Sequence, residues 1–257
     1  MTFFKRFAMA VCAAIVGVTS VAAHADDLDK VKQTGTLTFA LTGKYPPFSF
    51  IDESGKLQGF DVEMGGEIAK KLGAKPVPVL TAWDGIIGGL LAGKYDAIIG
   101  SMAITDERLK AVDFTQPYYR SGAQLFVRKN STVQGIDQLN GKVVGVTLGE
   151  TYEAWLRKNR PGVQIKTYKG LPDILIDLAN GRIDGFVTDK IAGILTIREK
   201  QIDAKPVGPL LYPEKIGIAV RKGSPKLLEA INAALADIAS DGEYGSISKK
   251  WLGEDVR

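Results

Sequence analysis

The sequence predicts an α/β protein whose sheets are mainly parallel and flanked by helices. Three observations point there. Short apolar runs alternate with helix-patterned segments, the mark of strand–helix–strand units. The alternation restarts near residue 142. A punctuation motif of the first run, Leu91-Ala92-Gly93-Lys94-Tyr95-Asp96, returns in the second as Leu178-Ala179-Asn180-Gly181-Arg182-Ile183-Asp184 with one insertion.

In chain order, Leu37–Leu41 reads as a strand and Asp61–Leu72 as a helix, with Val62, Ile68, Ala69 and Leu72 apolar and Gly73 as its stop. Val77–Leu80 is a strand, Trp83–Ala92 a helix ended by Gly93, Asp96–Ile99 a strand, Thr105–Ala111 a short helix and Ala123–Val127 a strand. The second run predicts a strand at Lys142–Val146, a helix at Thr151–Arg160 closed by Pro161-Gly162, and a strand at Val163–Tyr168. A helix at Pro172–Asn180, a strand at Ile183–Val187 and a helix at Lys190–Glu199 follow. After a strand at Ile216–Val220, Ser224-Pro225 marks a helix start, an N-cap with proline in the first turn, leading into Lys226–Ala239. A last helix covers Tyr244–Trp251. Gly35 to Tyr45 and Gly141 to Tyr152 also correspond loosely as glycine, strand and glycine-bearing loop. The echoes read either as punctuation common to any α/β chain or as two similar lobes. In open parallel sheets ligands bind beyond the carboxyl ends of the strands. Two facing lobes would put the loops at 42–48, 100–108, 147–152 and 188–190 around one cleft.

Composition narrows the function. The 257 residues are 45% hydrophobic and 24% charged, a globular balance that argues against a disordered chain. Lys5 and Arg6, an apolar stretch from Phe7 to Val18 and the small-x-small pattern Ala23-His24-Ala25 read as a secretory signal peptide, 1–25, cut after Ala25. The sole Cys, Cys12, and the sole His, His24, leave with it, and branched Val11 before Cys12 argues against lipidation. The mature chain then has 257 − 25 = 232 residues, and 33 − 2 = 31 cations against 29 anions give +2. That near-neutral balance, with no block of like charge, predicts no nucleic-acid binding. A chain without Cys or His has no disulfide, thiolate nucleophile, Ser-His-Asp triad or His/Cys metal site. No calcium-loop or phosphate-loop pattern occurs, so neither a metal nor a cofactor is expected. No second apolar stretch nears the roughly 20 residues needed to cross a bilayer, so no direct membrane insertion is expected. The inventory favours binding over chemistry, with carboxylate or Tyr acid–base work still open.

Several runs resemble the polar amino-acid-binding proteins of ABC importers, bacterial solute-binding protein family 3. These are Tyr45-Pro46-Pro47-Phe48 with Gly59-Phe60-Asp61-Val62-Glu63, Ile104-Thr105-Asp106-Glu107-Arg108 with Phe114, Asp137-Gln138-Leu139-Asn140-Gly141-Lys142, and Asp241-Gly242-x-Tyr244 with Lys250-Trp251. They span the mature chain in order. The resemblance implies a two-lobe periplasmic-binding-protein fold (type II) with two hinge crossings, each lobe a mainly parallel sheet flanked by helices. Lobe 1 would be 26–117 plus 218–257 and lobe 2 would be 123–214, with hinges at 118–122 and 215–217. It further implies a monomer in the periplasm that takes an amino acid, closes on it by hinge bending and delivers it to a membrane permease.

Arg108 is the first candidate for the ligand. With Thr105 as N-cap it falls at the third helical position, where the dipole disfavours a cation and an anionic partner would offset that cost. Its planar fork matches a carboxylate, and the family uses an arginine here for the ligand α-carboxylate. A structural pair with Glu107 or Asp113 is the alternative. Asp189 opens a helix after a strand and reads first as an N-cap; the family places a carboxylate here for the α-ammonium. The Gly149-Glu150-Thr151 turn offers helix N–H donors, with Thr151 as N-cap the plain reading. By resemblance, Gly100 and Ser101 supply backbone and hydroxyl contacts, and Tyr45 and Trp83 stack on the ligand side chain, although aromatics in α/β proteins are usually core. Thr147 and Tyr152 belong to the same loop.

Thr42 stands where several members have Asp, and Ala103 where many have Ser or Thr. The pocket thus lacks one carboxylate and one hydroxyl, which Glu150 and Tyr152 partly replace. The choice between an uncharged polar ligand, such as glutamine or cystine, and a basic one, such as arginine, stays open. A second function class is an exported cyclohexadienyl dehydratase on the same scaffold, with Glu150 or Glu153 as acid, although Glu153 reads as a solvated helix residue. A receptor input domain is a third, disfavoured because no membrane or signalling segment follows Trp251.

Overall fold

The computed structural model describes residues 26–257, so the expected leader and its cut after Ala25 lie outside the described residues. The described residues begin with a helix that the sequence reading omitted, α1 (Asp27–Thr34). Asp26 is why it forms there. Its Oδ1 accepts from Leu28 N at 2.9 Å, capping α1, and the same carboxylate accepts from Lys226 N at 2.9 Å and Leu227 N at 3.1 Å. Those two donors open α8 (Pro225–Ser240). Ser224 holds the N-cap place of α8 as expected, but its Oγ donates to Asp27 Oδ2 at 2.6 Å, so Asp26 does the capping.

Between these helices run β1 (Thr36–Leu41), the small antiparallel sheet β2 (Lys44–Tyr45), β3 (Ser49–Ile51) and β4 (Leu57–Gln58), then α2 (Phe60–Lys71), β5 (Lys75–Leu80), α3 (Ile86–Leu91), β6 (Ala97–Ala103), α4 (Asp106–Leu109), β7 (Val112–Phe114) and β8 (Tyr119–Arg128). The second run is β9 (Val143–Thr147), α5 (Thr151–Asn159), β10 (Gln164–Tyr168), α6 (Leu171–Ala179), β11 (Gly185–Asp189), α7 (Lys190–Glu199) and β12 (Ala204–Arg221). The chain ends with α9 (Glu243–Leu252).

The large sheet has the order β10-β9-β11-β8-β12-β6-β1-β5. Each half is a parallel triplet, β5-β1-β6 in one and β10-β9-β11 in the other, and each triplet is followed by an antiparallel strand, β12 or β8. The inner strands β1, β6, β9, β11 and β8 are mostly buried on both faces, while the edge strands β5 and β10 are largely exposed. Phe39 and Leu41 pack into one hydrophobic cluster and Ala40 into another; Phe126 and its neighbours Leu125 and Val127 divide in the same way. Helix α2 presents Phe60, Met64 and Ile68 to the core at i, i+4 and i+8.

The echoed motifs are one structural device used twice. Asp96 N donates to Thr38 O at 2.9 Å and its Oδ2 accepts from Thr38 N at 2.9 Å, fixing the register of β6 on β1. Asp184 N donates to Val143 O at 2.8 Å and its Oδ2 accepts from Val143 N at 2.9 Å, fixing β11 on β9. Each motif turns through a glycine in the left-handed region, Gly93 at φ 72° and Gly181 at φ 70°.

Several strands are longer than the sequence suggested, three of them by more than two residues. β6 runs to Ala103 rather than Ile99, β8 starts at Tyr119 rather than Ala123, and β12 covers Ala204–Arg221 rather than Ile216–Val220. Pro206, Gly208, Pro209 and Pro213 are poor strand formers, yet β12 absorbs them through a register shift between Val207 and Tyr212. The expected helix Trp83–Ala92 opens as a tight turn, Trp83–Gly85, before α3.

β8 and β12 join the two halves. Tyr119 pairs with Ile216, Arg120 with Lys215, Ser121 with Glu214 and Gly122 with Pro213. The halves also touch directly. Thr196 Oγ1 donates to Pro46 O at 3.1 Å, and a Cβ on Gly170 would lie 2.7 Å from the Cβ of Lys44, so only glycine fits that approach.

Candidate functional site

The loops at the carboxyl ends of β1, β6, β9 and β10 converge on one cavity of about 440 Å³, counting its open mouth. Thr42, Tyr45, Trp83, Gly100, Ser101, Ala103, Arg108, Thr147, Glu150, Thr151 and Tyr152 all line it. Asp189 does not. The sequence reading missed Lys44, Lys169, Gly170 and Glu214, which also line it. Lys169 and Gly170 follow β10, so the strand-end rule that found the other loops would have found this one.

Arg108 is held from three sides. Thr105 is the N-cap of α4, and its Oγ1 accepts from Arg108 N at 3.2 Å. The guanidinium donates through Nη1 to Ala103 O at 2.9 Å and lies over the Trp83 ring, 5.5 Å from its centroid. No carboxylate of the described residues forms an ion pair with it, neither Glu107 nor Asp113. Burial works against its charge, and Glu150 and then Glu214 support it. Four of its five N–H donors remain for a partner.

The second half supplies acids. Glu150, not Thr151, is the N-cap of α5, and it makes no capping bond from its side chain. The first-turn N–H groups of α5 are therefore uncapped at the cavity wall, where they favour an anion. Thr151 uses its hydroxyl elsewhere, donating to Glu214 Oε1 at 2.6 Å, and Tyr152 Oη donates to Glu214 Oε2 at 3.1 Å. Glu150 is partly exposed as a residue, but its Oε2 is buried and has no hydrogen-bond partner. Burial and then Glu214 push its carboxyl up to about 8, against the pull of Arg108. Glu214 is buried and is also raised, chiefly by burial. Glu153 is not the solvated residue expected: it accepts from Gly149 N at 2.9 Å and pairs with Arg157 at 2.7 Å, which turns it from the cavity.

Asp189 is buried and caps α7, its Oδ1 accepting from Ile191 N at 2.7 Å and Ala192 N at 3.0 Å. Its Oδ2 is buried without a partner, and burial raises its carboxyl. Burial first, and then the charge of Asp189, raise the phenol of Tyr45, which does line the cavity. Tyr45 is stacked on Phe48 with centroids 5.5 Å apart, and is thus both core and wall.

Ser101 adopts φ 59°, rare for a residue with a side chain. Its Oγ donates to Asp61 Oδ2 at 2.7 Å and its N–H donates to Tyr118 Oη at 3.2 Å. Tyr118 Oη donates to Asp61 Oδ1 at 2.6 Å. Asp61 is fully buried, and burial lifts it to about 7 against these two hydroxyl donors. Among the described residues no Cys/His/Asp/Glu group fit to hold a metal occurs, and no helix is long and apolar enough to cross a membrane.

The family model for bacterial extracellular solute-binding proteins, family 3, matches residues 37–254. The L-cystine-binding protein TcyJ of Escherichia coli (strain K12) is 41% identical over 247 residues, covering 95% of this chain and 93% of that protein. Among solved structures, an ancestral arginine-binding protein bound to arginine is 41% identical with a TM-score of 0.82, covering 85% of this chain and 99% of that one. The ancestral amino acid-binding protein AncCDT-1, a precursor of cyclohexadienyl dehydratase, is 34% identical with a TM-score of 0.83, covering 88% and 99%.

Proposed function

Since this chain belongs to the bacterial extracellular solute-binding proteins, family 3, we propose that it captures a polar amino acid in the cavity around Arg108 and delivers it to the permease of an ABC importer. It works as a binding protein rather than an enzyme, as a monomer in the periplasm. The observation that carries the reading is a half-buried guanidinium at a strand-end cavity, bonded among the described residues only to Ala103 O. It takes the ligand α-carboxylate together with the uncapped N–H groups of α5. The bare Oδ2 of Asp189 supports a role for that carboxylate toward the α-ammonium. Tyr45 and Trp83 flank the ligand side chain.

The facing pairs Tyr119–Ile216 and Arg120–Lys215 support a hinge at residues 118–122 and 215–217, with lobes 26–117 plus 218–257 and 123–214 closing over the ligand. Closure gains only from contacts absent when the lobes are apart. Arg108 on one lobe and the α5 terminus on the other provide them.

A thermal-shift screen of refolded protein against the common amino acids identifies the ligand. Calorimetry on Arg108→Ala then tests the site. The expected loss is about 3–5 kcal/mol, the range for breaking a buried charge pair, or a few hundred-fold to a few thousand-fold in Kd. A loss under about tenfold removes Arg108 from the contact.

A further inference from the structure

The two halves meet at the cavity, and glycines mark the meeting. Outside the crossing segments, Gly149 and Gly170 are the described glycines whose nearest neighbours lie in the opposite half. A Cβ on Gly149 would lie 3.3 Å from the Cα of Asp84. A Cβ on Gly170 would lie 2.7 Å from the Cβ of Lys44 and 3.0 Å from its carbonyl oxygen. Gly149 has a local reason to be glycine, its φ of 79°. Gly170 has none. It stands at φ 173° and ψ 171°, extended backbone that any residue adopts, and it is the N-cap of α6 without a side-chain capping bond. Serine, asparagine or aspartate would cap that helix better. The three atoms nearest to its missing Cβ all belong to Lys44, in the first half. The side chain is therefore absent for the approach between the halves and not for the fold of the second half.

We propose that Gly170 is a positioning residue for capture: its bare backbone seats on Lys44 and sets how far the cleft shuts. This role rests on the two-lobe closing reading above and deepens it. Lys44 and Gly170 both line the cavity that Arg108, Thr151 and Glu214 share, so the seat lies in the wall of the site. Lys44 Nζ and Asp173 Oδ2 also face each other across this lip, but at 3.8 Å and with side chains 50% and 45% exposed, so the pair contributes little. Shape at Gly170, not charge, sets the depth. Carbon atoms pack at about 3.5–4.0 Å, so a Cβ here must open the lip by roughly 1 Å. Charge-assisted bonds run at about 2.7–2.9 Å, and one stretched by that much is no longer a hydrogen bond. A ligand held by Arg108 on one side and the α5 terminus on the other then loses one of its two grips.

Calorimetry, stopped-flow mixing and thermal unfolding of wild type and Gly170→Ser test this. The probes are L-cystine, L-arginine, L-glutamine and any amino acid that the thermal-shift screen returns. Gly170→Ser is expected to weaken every probe that wild type binds by at least about tenfold. The loss should appear as faster dissociation, with the association rate within about twofold of wild type. The ligand-free Tm should stay level or rise, because serine caps α6 and the open cleft leaves room for its side chain. On the Lys44→Gly background, which lacks the Cβ that the serine meets, Gly170→Ser should cost at most about threefold. Wild-type affinity in Gly170→Ser, an equal loss on both backgrounds, or a lower ligand-free Tm would make Gly170 ordinary packing and overturn the seat. Binding that still depends on Arg108 would then keep the capture function intact. Binding of no probe by wild type overturns both.

Discussion

Each half of the molecule buries a carboxyl group beside the cleft, and the two are treated differently. Asp61, on α2, has both oxygens engaged, by Tyr118 Oη at 2.6 Å and Ser101 Oγ at 2.7 Å. Glu150, at the start of α5, keeps Oε2 buried and bare. Burial raises both, to about 7 and about 8. What opposes burial differs: two neutral hydroxyls at Asp61, the Arg108 charge at Glu150, where Glu214 pushes the other way. An acid saturated by neutral donors is part of the scaffold, because nothing is left over for a ligand. An acid left bare beside a second acid is stabilised only when a donor or cation arrives. Burial alone does not separate the two cases, but the count of bonded oxygens does.

The sharpest way to break this contrast is to remove the scaffold acid. Asp61→Ala strands the Tyr118 hydroxyl in the core and breaks the Ser101 hydroxyl bond at the cavity wall, at a cost of about 3 kcal/mol together. For a domain of this size that lowers Tm by roughly 6–12 °C. Urea unfolding measures it directly. A loss under about 1 kcal/mol would place Asp61 with Glu150 instead.

Glu150→Gln has a smaller effect on the unliganded protein and an opposite logic. The native carboxyl, at about 8 against an ordinary 4.5, holds a proton that the unfolded chain releases. Between those values the folded state binds more protons, so this group's contribution to stability falls as pH rises through that window. Glutamine cannot titrate and removes that slope. The groups facing Glu150 are Glu214 from β12, Asp189 from the start of α7 and Arg108 from α4. The expected result is a wild-type Tm that declines from about pH 5 to about pH 8. The variant should decline less, by up to about 2 kcal/mol once the partial exposure of Glu150 is discounted. Equal slopes in the two proteins would mean that Glu150 is solvated and carries its ordinary pKa.

Which parts of this contrast are legible in the sequence depends on their physical origin. The strand-end rule placed the cavity, because a parallel sheet with alternating helices leaves its ligand groups at the carboxyl edge, whatever the side chains. Thr105 and Arg108 were legible because capping is local chemistry within four residues. Glu214 was not. It lies on a strand interrupted by prolines, and its role depends on Ser121 across the ladder and on Thr151 from a distant loop. The burial of Asp61 was equally hidden. Next to Phe60 and ahead of Met64 and Ile68 it reads as the polar start of a helix, and only Tyr118 and Ser101, both remote in sequence, show why an acid is tolerated there. Glu153 was misplaced for a related reason: a helix-face pattern cannot show that the chain turns back and offers the Gly149 N–H.

The finest test asks what the saturated acid is for. Ser101 stands at φ 59°, a conformation that costs a side-chain-bearing residue about 1 kcal/mol relative to glycine. Its bonds to Asp61 and Tyr118 hold it there. Ser101→Ala keeps the backbone cost and loses the hydroxyl bond, so it should destabilise by about 1–2 kcal/mol. Ser101→Gly loses the same bond and relieves the backbone, so its net effect should lie within about 1 kcal/mol of zero. The gap between the two variants measures the strain alone. In the Asp61→Ala background the hydroxyl has already lost that partner, so Ser101→Gly should turn stabilising by about 1 kcal/mol, a coupling that a double-mutant cycle resolves. Additive effects would show that Asp61 and Ser101 are neighbours without being partners. The scaffold acid would then hold Tyr118 alone.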